Sequence, residues 1–212
     1  KADKLHKYLE DIKRGDIPLL PPDINKSKSE FSIEYIAGKK GIRFGLNGIA
    51  NLGCIVADGI EKERQERGTF KSFDNFIERI GRFQKFDKTA YEALVYSGAL
   101  DLFPCSRAAK LGIEDKVLNK INLMRKTNYE QLSIFEMLGG NRFDPIKISD
   151  KSEYHLSYLA MKEEKMLGII FHCPTVQYRK IMDENGADLI GNLKSKKSKA
   201  KFVGMVKNVI EM

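Results

Sequence analysis

Apolar positions recur along this chain with two different periods. Over residues 4–14, Leu5, Tyr8, Leu9 and Ile12 fall at i, i+3, i+4 and i+7, which predicts a helix closed by Gly15. Ile17-Pro18-Leu19-Leu20-Pro21-Pro22-Asp23 is then extended, because a residue before proline is pushed out of the α region. Phe31–Ile36 reads as a strand, Ala37–Gly41 as a turn and Ile42–Gly45 as the returning strand, so a β-hairpin is expected.

From Leu46 onward the pattern is helical. Helices are expected near 47–50, 54–67, 72–79, 87–96, 106–112, 114–137, 153–166 and 174–185, punctuated by Gly53, Gly68 and Gly98. Residues 139–152 read as a loop or linker. Residues 192–201, with Lys194, Lys196, Lys197, Lys199 and Lys201, read as a solvated basic linker. Phe202–Val206 begins a strand with no partner after it, which suggests truncation at a domain boundary.

Composition narrows the class. The chain has 212 residues, 42 % of them hydrophobic and 31 % charged, a soluble globular balance sufficient for one large domain or two small ones. No apolar run reaches the roughly 18 residues of a membrane span. The polar N-terminus lacks a signal peptide, and a chain beginning at Lys1 rather than Met suggests a fragment. Cys54, Cys105 and Cys173 are far apart and odd in number, with no C-x-x-C or His/Cys cluster, so neither a zinc site nor a disulfide framework is supported and a reducing, cytoplasmic setting fits best. The net charge of +8 favours a polyanionic partner.

The segment Ile49-Ala50-Asn51-Leu52-Gly53-Cys54-Ile55-Val56-Ala57 reads as two short helices joined by a tight turn at Gly53. Ile49, Leu52, Ile55 and Val56 would lock the helices together. Free N–H groups in the first turn of the second helix, with the positive end of its dipole, suit a phosphate. Asn51, Leu52, Gly53 and Cys54 are therefore candidate DNA-binding residues, with Lys62, Arg64 and Arg107 as flanking cations. A second helix–turn–helix at Leu94–Asp101 adds Ser97 and Gly98, and makes sense as the partner that buries the back of the first. Ser106 supplies an N-cap to the helix that follows. The mixed run Glu61–Arg67 also reads as an ordinary solvated face, and the first hairpin also reads as a plain αα-corner. His6, His155 and His172 are isolated, no phosphate loop is present, and no active site is visible.

Gln131-Leu132-Ser133-Ile134-Phe135 has a different character. A Gln followed by Leu, a hydrophobe and Phe is suited to plugging a preformed pocket, with the amide at the rim. It resembles the pentapeptide by which bacterial DNA-handling proteins dock on the sliding clamp. Leu132, Phe135 and Leu138 also fall at helical spacing, so the segment reads alternatively as a helix stripe.

Taken in order, these segments resemble the alpha (catalytic) subunit of bacterial DNA polymerase III. The similarity is carried by Leu20-Pro21-Pro22-Asp23-Ile24-Asn25-x-Ser27 with Phe31, and by Ile42-Arg43-Phe44-Gly45-Leu46-x-x-Ile49. Phe70-x-Ser72-Phe73-x-x-Phe76, Leu94-x-x-Ser97-Gly98-Ala99-Leu100-Asp101, and Glu164-Lys165-x-Leu167-Gly168 with Pro174-x-x-x-Tyr178 complete the set. The first turn departs from the usual Gly-hydrophobe-Gly, with Asn51 in place of a glycine. Phe171-His172-Cys173-Pro174 departs from the family's Ser-Gly-His-Pro and is one residue shorter.

The resemblance implies a mainly α fold with five parts. Residues 1–46 would end the fingers domain with a β-hairpin, and 47–112 would form a tandem helix-hairpin-helix DNA-binding domain. Residues 113–152 would carry the clamp-binding motif, 153–192 a helical connector, and 193–212 a basic linker and the first strand of a truncated OB-fold. It implies a fragment that binds primer–template DNA without sequence preference and tethers a polymerase to its sliding clamp among other replicase subunits. Template-directed synthesis with Mg²⁺ would belong to the parent chain, whose palm carboxylates lie upstream; no cofactor is expected in this fragment, nor activity from it alone. A helix-hairpin-helix module of a repair enzyme, or a pure protein-interaction module, are the other readings.

Overall fold

A computed structural model of the chain describes residues 17–126, 144–174, 179–189 and 201–203. The chain divides into two compact units, Lys1–Phe171 and His172–Met212.

The first unit opens with a small sheet. Strands β1 (Leu19–Leu20), β2 (Ser32–Ile36) and β3 (Lys39–Arg43) lie in the order β1-β3-β2. β2 and β3 form the expected antiparallel hairpin, with Ile36 opposite Lys39 and Ser32 opposite Arg43. The turn is only Ala37 and Gly38, both at positive φ (48° and 80°), as a two-residue loop matching strand twist requires. Lys39-Lys40-Gly41, expected in the turn, therefore belong to β3, which ends at Arg43 rather than Gly45. The stretch read only as extended, Leu19–Leu20, pairs in parallel with Ile42–Arg43. Arg43 ties the sheet together: its guanidinium donates to Glu34 (2.7 and 2.9 Å) and to the Pro21 carbonyl (2.7 Å).

The rest of this unit is helical: α1 (Cys54–Arg67), α2 (Phe73–Ile80), α3 (Lys88–Tyr96), α4 (Arg107–Gly112), α5 (Glu114–Lys126) and α6 (Leu156–Leu167). Their starts follow local chemistry. Ser72, Asp87 and Ser106 each accept an N–H three residues on, at 3.0–3.1 Å, satisfying donors that the first turn leaves free. α6 starts at Leu156 rather than 153 because Glu153 is used elsewhere: its carboxylate accepts the N–H groups of Arg107 and Ala108 and so caps α4. Gly168, left-handed at φ 72°, ends α6.

The core runs from Phe44 and Leu46 through Ile49, Leu52, Val56 and Ile60 to the faces of α2 and α3. Its centre is aromatic. Phe76 packs edge-on to Phe70 and Phe86, and Phe73 packs edge-on to Tyr91 and Phe103, at centroid distances of 5.2–6.4 Å. Each such fully buried side chain contributes about 1.5–3 kcal/mol relative to exposure.

In the second unit, α7 (Arg179–Asn185) precedes β4 (Asp188–Leu189), which pairs in parallel with β5 (Phe202–Val203). The strand expected to stand without a partner has one, supplied by a segment read as helical connector; a two-residue strand is too short to show a period. No barrel beyond this pair lies among the described residues. The helix expected over 4–14, the end of that over 114–137 and the start of that over 174–185 fall outside them. No described helix is long and apolar enough to cross a membrane.

Candidate nucleic-acid interface

The first hairpin turn is built where β3 runs into the helices. The first helix expected, 47–50, is a single 3-10 turn at Leu46–Gly48, with Gly48 and Ile49 N–H groups donating to Gly45 and Leu46 carbonyls (3.0 and 3.1 Å). Ala50 N–H donates to the Met166 carbonyl at 2.8 Å, which fastens the turn to the end of α6. Asn51 then adopts φ 67° and Gly53 φ 77°, ψ 138°. Asn takes the left-handed region more readily than other non-glycine residues, so it replaces a glycine here without loss of the turn. Gly53 occupies a combination that a side chain would strain.

This geometry separates an inner and an outer face. Leu46, Ile49, Leu52 and Val56 are buried, whereas Asn51, Gly53, Cys54 and Ile55 are exposed, Ile55 by 61 %. Ile55, expected among the locking residues, therefore faces solvent. α1 has Gly53 at its N-cap, no side-chain cap and no acidic residue in its first turn. Among the described residues, the N–H groups of Gly53, Cys54 and Ile55 have no protein acceptor. The Leu52 N–H, expected to point outward with them, instead donates to the Ile49 carbonyl at 3.4 Å.

The start of α1 forms one wall of a groove of about 320 Å³, closed on the other side by Lys85, Asp87, Thr89 and Ala90. A neighbouring groove of about 440 Å³ runs along α1 past Ile55, Gly59, Lys62 and Glu66 to Phe83, Gln84 and Lys85. Lys85 borders both and has no acidic partner among the described residues. Sequence reasoning missed it, because a single Lys in the loop Phe83-Gln84-Lys85-Phe86 carries no periodic signal. Only the packing of the α2–α3 loop beside α1 brings it to the turn. Asp87 is the opposing charge here, but its carboxylate is engaged by the Ala90 N–H.

The other expected cations separate. Lys62 is exposed on the second groove, with Glu66 at 3.8 Å. Arg64 points inward and donates to the carbonyls of Ile24 and Ser27. Its burial pulls its pKa below the ordinary guanidinium value, and it ties α1 to the segment behind the sheet rather than facing solvent.

The second turn corrects the expectation more sharply. Ser97 and Gly98 are buried: the Ser97 hydroxyl donates to the Leu94 carbonyl and the Gly98 N–H to the Val95 carbonyl, both at 3.1 Å. Gly98 sits at φ 80°, and a Cβ there would lie 2.2 Å from Arg107 Nη2. Arg107, only 3 % exposed, donates to Asp101 (2.6 Å), to Glu163 (2.9 Å) and to the Tyr96 carbonyl (3.1 Å). Burial disfavours its charge, but Asp101 and Glu163 outweigh that and hold its pKa above the usual value. Glu163 in turn accepts the Phe171 N–H at 2.8 Å. Ser97, Gly98 and Arg107 thus make an interior corner that fastens α3, α4 and α6, with no side for DNA.

Gln131, Leu132, Ser133, Ile134 and Phe135 lie outside the described residues. On either side the chain is fixed to α2 and the loop that follows it. Arg125 near the end of α5 donates to the Gly81 and Phe86 carbonyls (2.9 and 2.7 Å). Ile146 N–H donates to Asp74 at 3.0 Å, and Lys120 bridges Asp74 and Glu78 at 2.9 Å. Among the described residues no group of three or more His, Cys, Asp or Glu side chains could hold a metal ion.

The family described as a helix-hairpin-helix motif matches residues 16–110, which takes in the sheet as well as both turns. A DNA polymerase III subunit alpha of Borreliella burgdorferi is 33 % identical over 98 % of the chain and 18 % of its own length. The subunit of Deinococcus radiodurans is 28 % identical over 99 % of the chain and 16 % of its own length. That of Thermus aquaticus is 40 % identical over 48 % of the chain and 8 % of its own length. The chain therefore spans less than a fifth of each of these relatives.

Proposed function

The chain belongs to the family of the DNA polymerase III alpha subunit, and from that premise we propose that it grips duplex DNA by its phosphates and tethers a replicative polymerase to the sliding clamp. The observation that carries the DNA reading is the open start of α1. Gly53, Cys54 and Ile55 present three N–H donors without acceptors, at the positive end of a helix, beside the free ammonium of Lys85. A phosphate oxygen satisfies such donors, and the helix dipole adds about 0.3–1 kcal/mol. Phosphate contacts carry no base information, so binding is independent of sequence and falls with salt. Lys62 and Lys85 steer the polyanion along the second groove.

The clamp reading rests on the sequence of Gln131–Phe135 and on its position after the hairpin domain. Leu132, Ile134 and Phe135 enter a pocket of the ring while Gln131 and Ser133 stay at its rim. Such a tether raises the effective concentration of the polymerase at the primer end, so modest DNA contacts suffice for continuous synthesis. Nucleotide addition, with its Mg²⁺, belongs in this proposal to carboxylates elsewhere in the longer protein, and a primer-extension assay on the 212-residue chain should show no synthesis.

The test is a binding titration against duplexes of two unrelated sequences at several salt concentrations. Equal affinities, a negative slope of log affinity against log salt, and weakening by Lys85→Glu are expected. Salt-independent binding, or none, overturns the DNA reading. In parallel, loss of clamp binding in a Gln131→Ala/Phe135→Ala variant with unchanged helical circular dichroism supports the tether, and unchanged binding removes it.

A further inference from the structure

Among the described residues the sheet is open along one side. β2 is its edge strand, and the two-residue turn makes Ile36 and Lys39 a hydrogen-bonded pair. Pairing alternates along an antiparallel ladder, so Ser32, Glu34 and Ile36 face β3 while Ile33 and Tyr35 aim their N–H and C=O groups outward. The other side of β3 confirms the parity: the N–H groups of Ile42 and Phe44 donate to Pro18 and Leu20 carbonyls of β1 at 2.9 and 3.0 Å. No backbone bond is made by Ile33 or Tyr35 to anything beyond the edge among the described residues.

The side chains at the same two positions are apolar and exposed, Ile33 by 67 % and Tyr35 by 65 %. Edge strands are ordinarily blunted by proline, a bulge or an unpaired charge. β2 has no proline and no bulge, and its one charge, Glu34, is held by Arg43 on the opposite face. Lys40, opposite Tyr35, and Lys39, opposite Ile36, are exposed and without acidic partners among the described residues.

We propose that β2 is a docking edge for an extended segment of another protein that alternates apolar and acidic residues. The segment adds to the sheet as a strand: its backbone pairs with Ile33 and Tyr35, its apolar side chains lie on the face of those two residues, and its acidic side chains, on the other face, meet Lys39 at the hairpin tip. Charge selects this occupant over a second copy of the chain, whose net charge is also +8. It also selects it over residues 4–14, whose apolar positions follow a helical rather than a strand period. The proposal stands on the sheet alone and is independent of the polymerase reading.

The test uses the 212-residue chain and a capped nonapeptide alternating valine and glutamate, beside the same peptide with lysine for glutamate. Ile33→Pro is the decisive variant. Proline at this position removes an outward N–H and leaves the internal ladder intact, as edge strands tolerate. The glutamate peptide should bind and the lysine peptide should not. Binding should weaken at least about tenfold in Ile33→Pro with its melting temperature kept, and similarly in Lys39→Glu, about 1.4 kcal/mol in each case. Amide exchange at Ile33 and Tyr35 should be fast in the free chain and slow in the complex. Four results would each overturn the proposal: peptide binding unaffected by Ile33→Pro; slow exchange at both amides in the free chain; a dimer in sedimentation that Ile33→Pro dissolves; or loss of duplex DNA affinity in Ile33→Pro, which would make the hairpin a nucleic-acid contact.

Discussion

The turn at Asn51–Gly53 and the turn at Ser97–Asp101 share a local grammar and differ in fate. Each places a residue at positive φ between helical segments, with apolar residues on both flanks. In the first, the side chains that follow are Cys54 and Ile55, neither of which can cap the helix, and α1 starts with its donors open. In the second, Arg107 folds back over Gly98 and fills the corner with a guanidinium held by Asp101 and Glu163. One turn keeps unsatisfied polarity at the surface, where a ligand can meet it. The other satisfies its polarity internally and becomes a fastening between helices. The lesson is that a hairpin binds through what it leaves unpaired, and that is decided by partners distant in sequence, here Glu163 on α6.

Substitutions in the second turn should cost the most stability. Arg107→Ala leaves Glu163 buried without its cation, and a loss of about 3–5 kcal/mol in unfolding free energy is expected by urea denaturation. Gly98→Ala should act in the same direction, because its methyl displaces Arg107 as well as straining φ. Neither should selectively change DNA affinity in the population that remains folded. Gly53→Ala probes the first turn, where a Cβ meets open space but the backbone is strained. It should cost about 1–3 kcal/mol of stability and, unlike Gly98→Ala, should weaken duplex binding at temperatures where the protein is folded. Equal effects of the two glycine substitutions on DNA would erase the distinction between the turns.

Lys85→Glu should leave the melting temperature within a degree or two and weaken duplex binding by about tenfold at low salt. The smallest effect concerns pH. Burial raises the pKa of Glu153, but N–H groups of Arg107, Tyr154 and Ala108 outweigh this and hold it below the ordinary carboxylate value. A depressed folded pKa gives stability that is present above the unfolded pKa and lost as pH falls through the folded one. Glu153→Gln should therefore be less stable than the parent near neutrality, and the gap should narrow below about pH 4. A gap that widens in acid would remove Glu153 as the cap of α4.

Much of the architecture was legible because it is local. Ser72, Asp87 and Ser106 announce helix starts, and the helical spacing of apolar residues places α1 to α4 within a residue or two. The Asn51 turn was legible because few residues tolerate its conformation. What the sequence could not reveal were relations across the fold. The parallel partner of Leu19–Leu20 and the pairing of Asp188–Leu189 with Phe202–Val203 involve strands too short for a period. Arg64 and Arg107 look like surface cations in a charged helix and beside an N-cap, yet their acceptors, at Ile24, Ser27 and Glu163, lie 37 to 56 residues away. Lys85 has the opposite history: unremarkable in its loop, it becomes a free cation at the turn only after α2 and α3 pack against α1.

In the proposed function, duplex DNA is held at the first turn, with Lys85. The direct test is the salt dependence of duplex affinity for the parent chain and Lys85→Glu, measured on the same 20-base-pair oligonucleotide. Weaker binding by the variant is expected, with a slope shallower by about 0.9, one phosphate contact fewer. Identical slopes and affinities in the two proteins would contradict it.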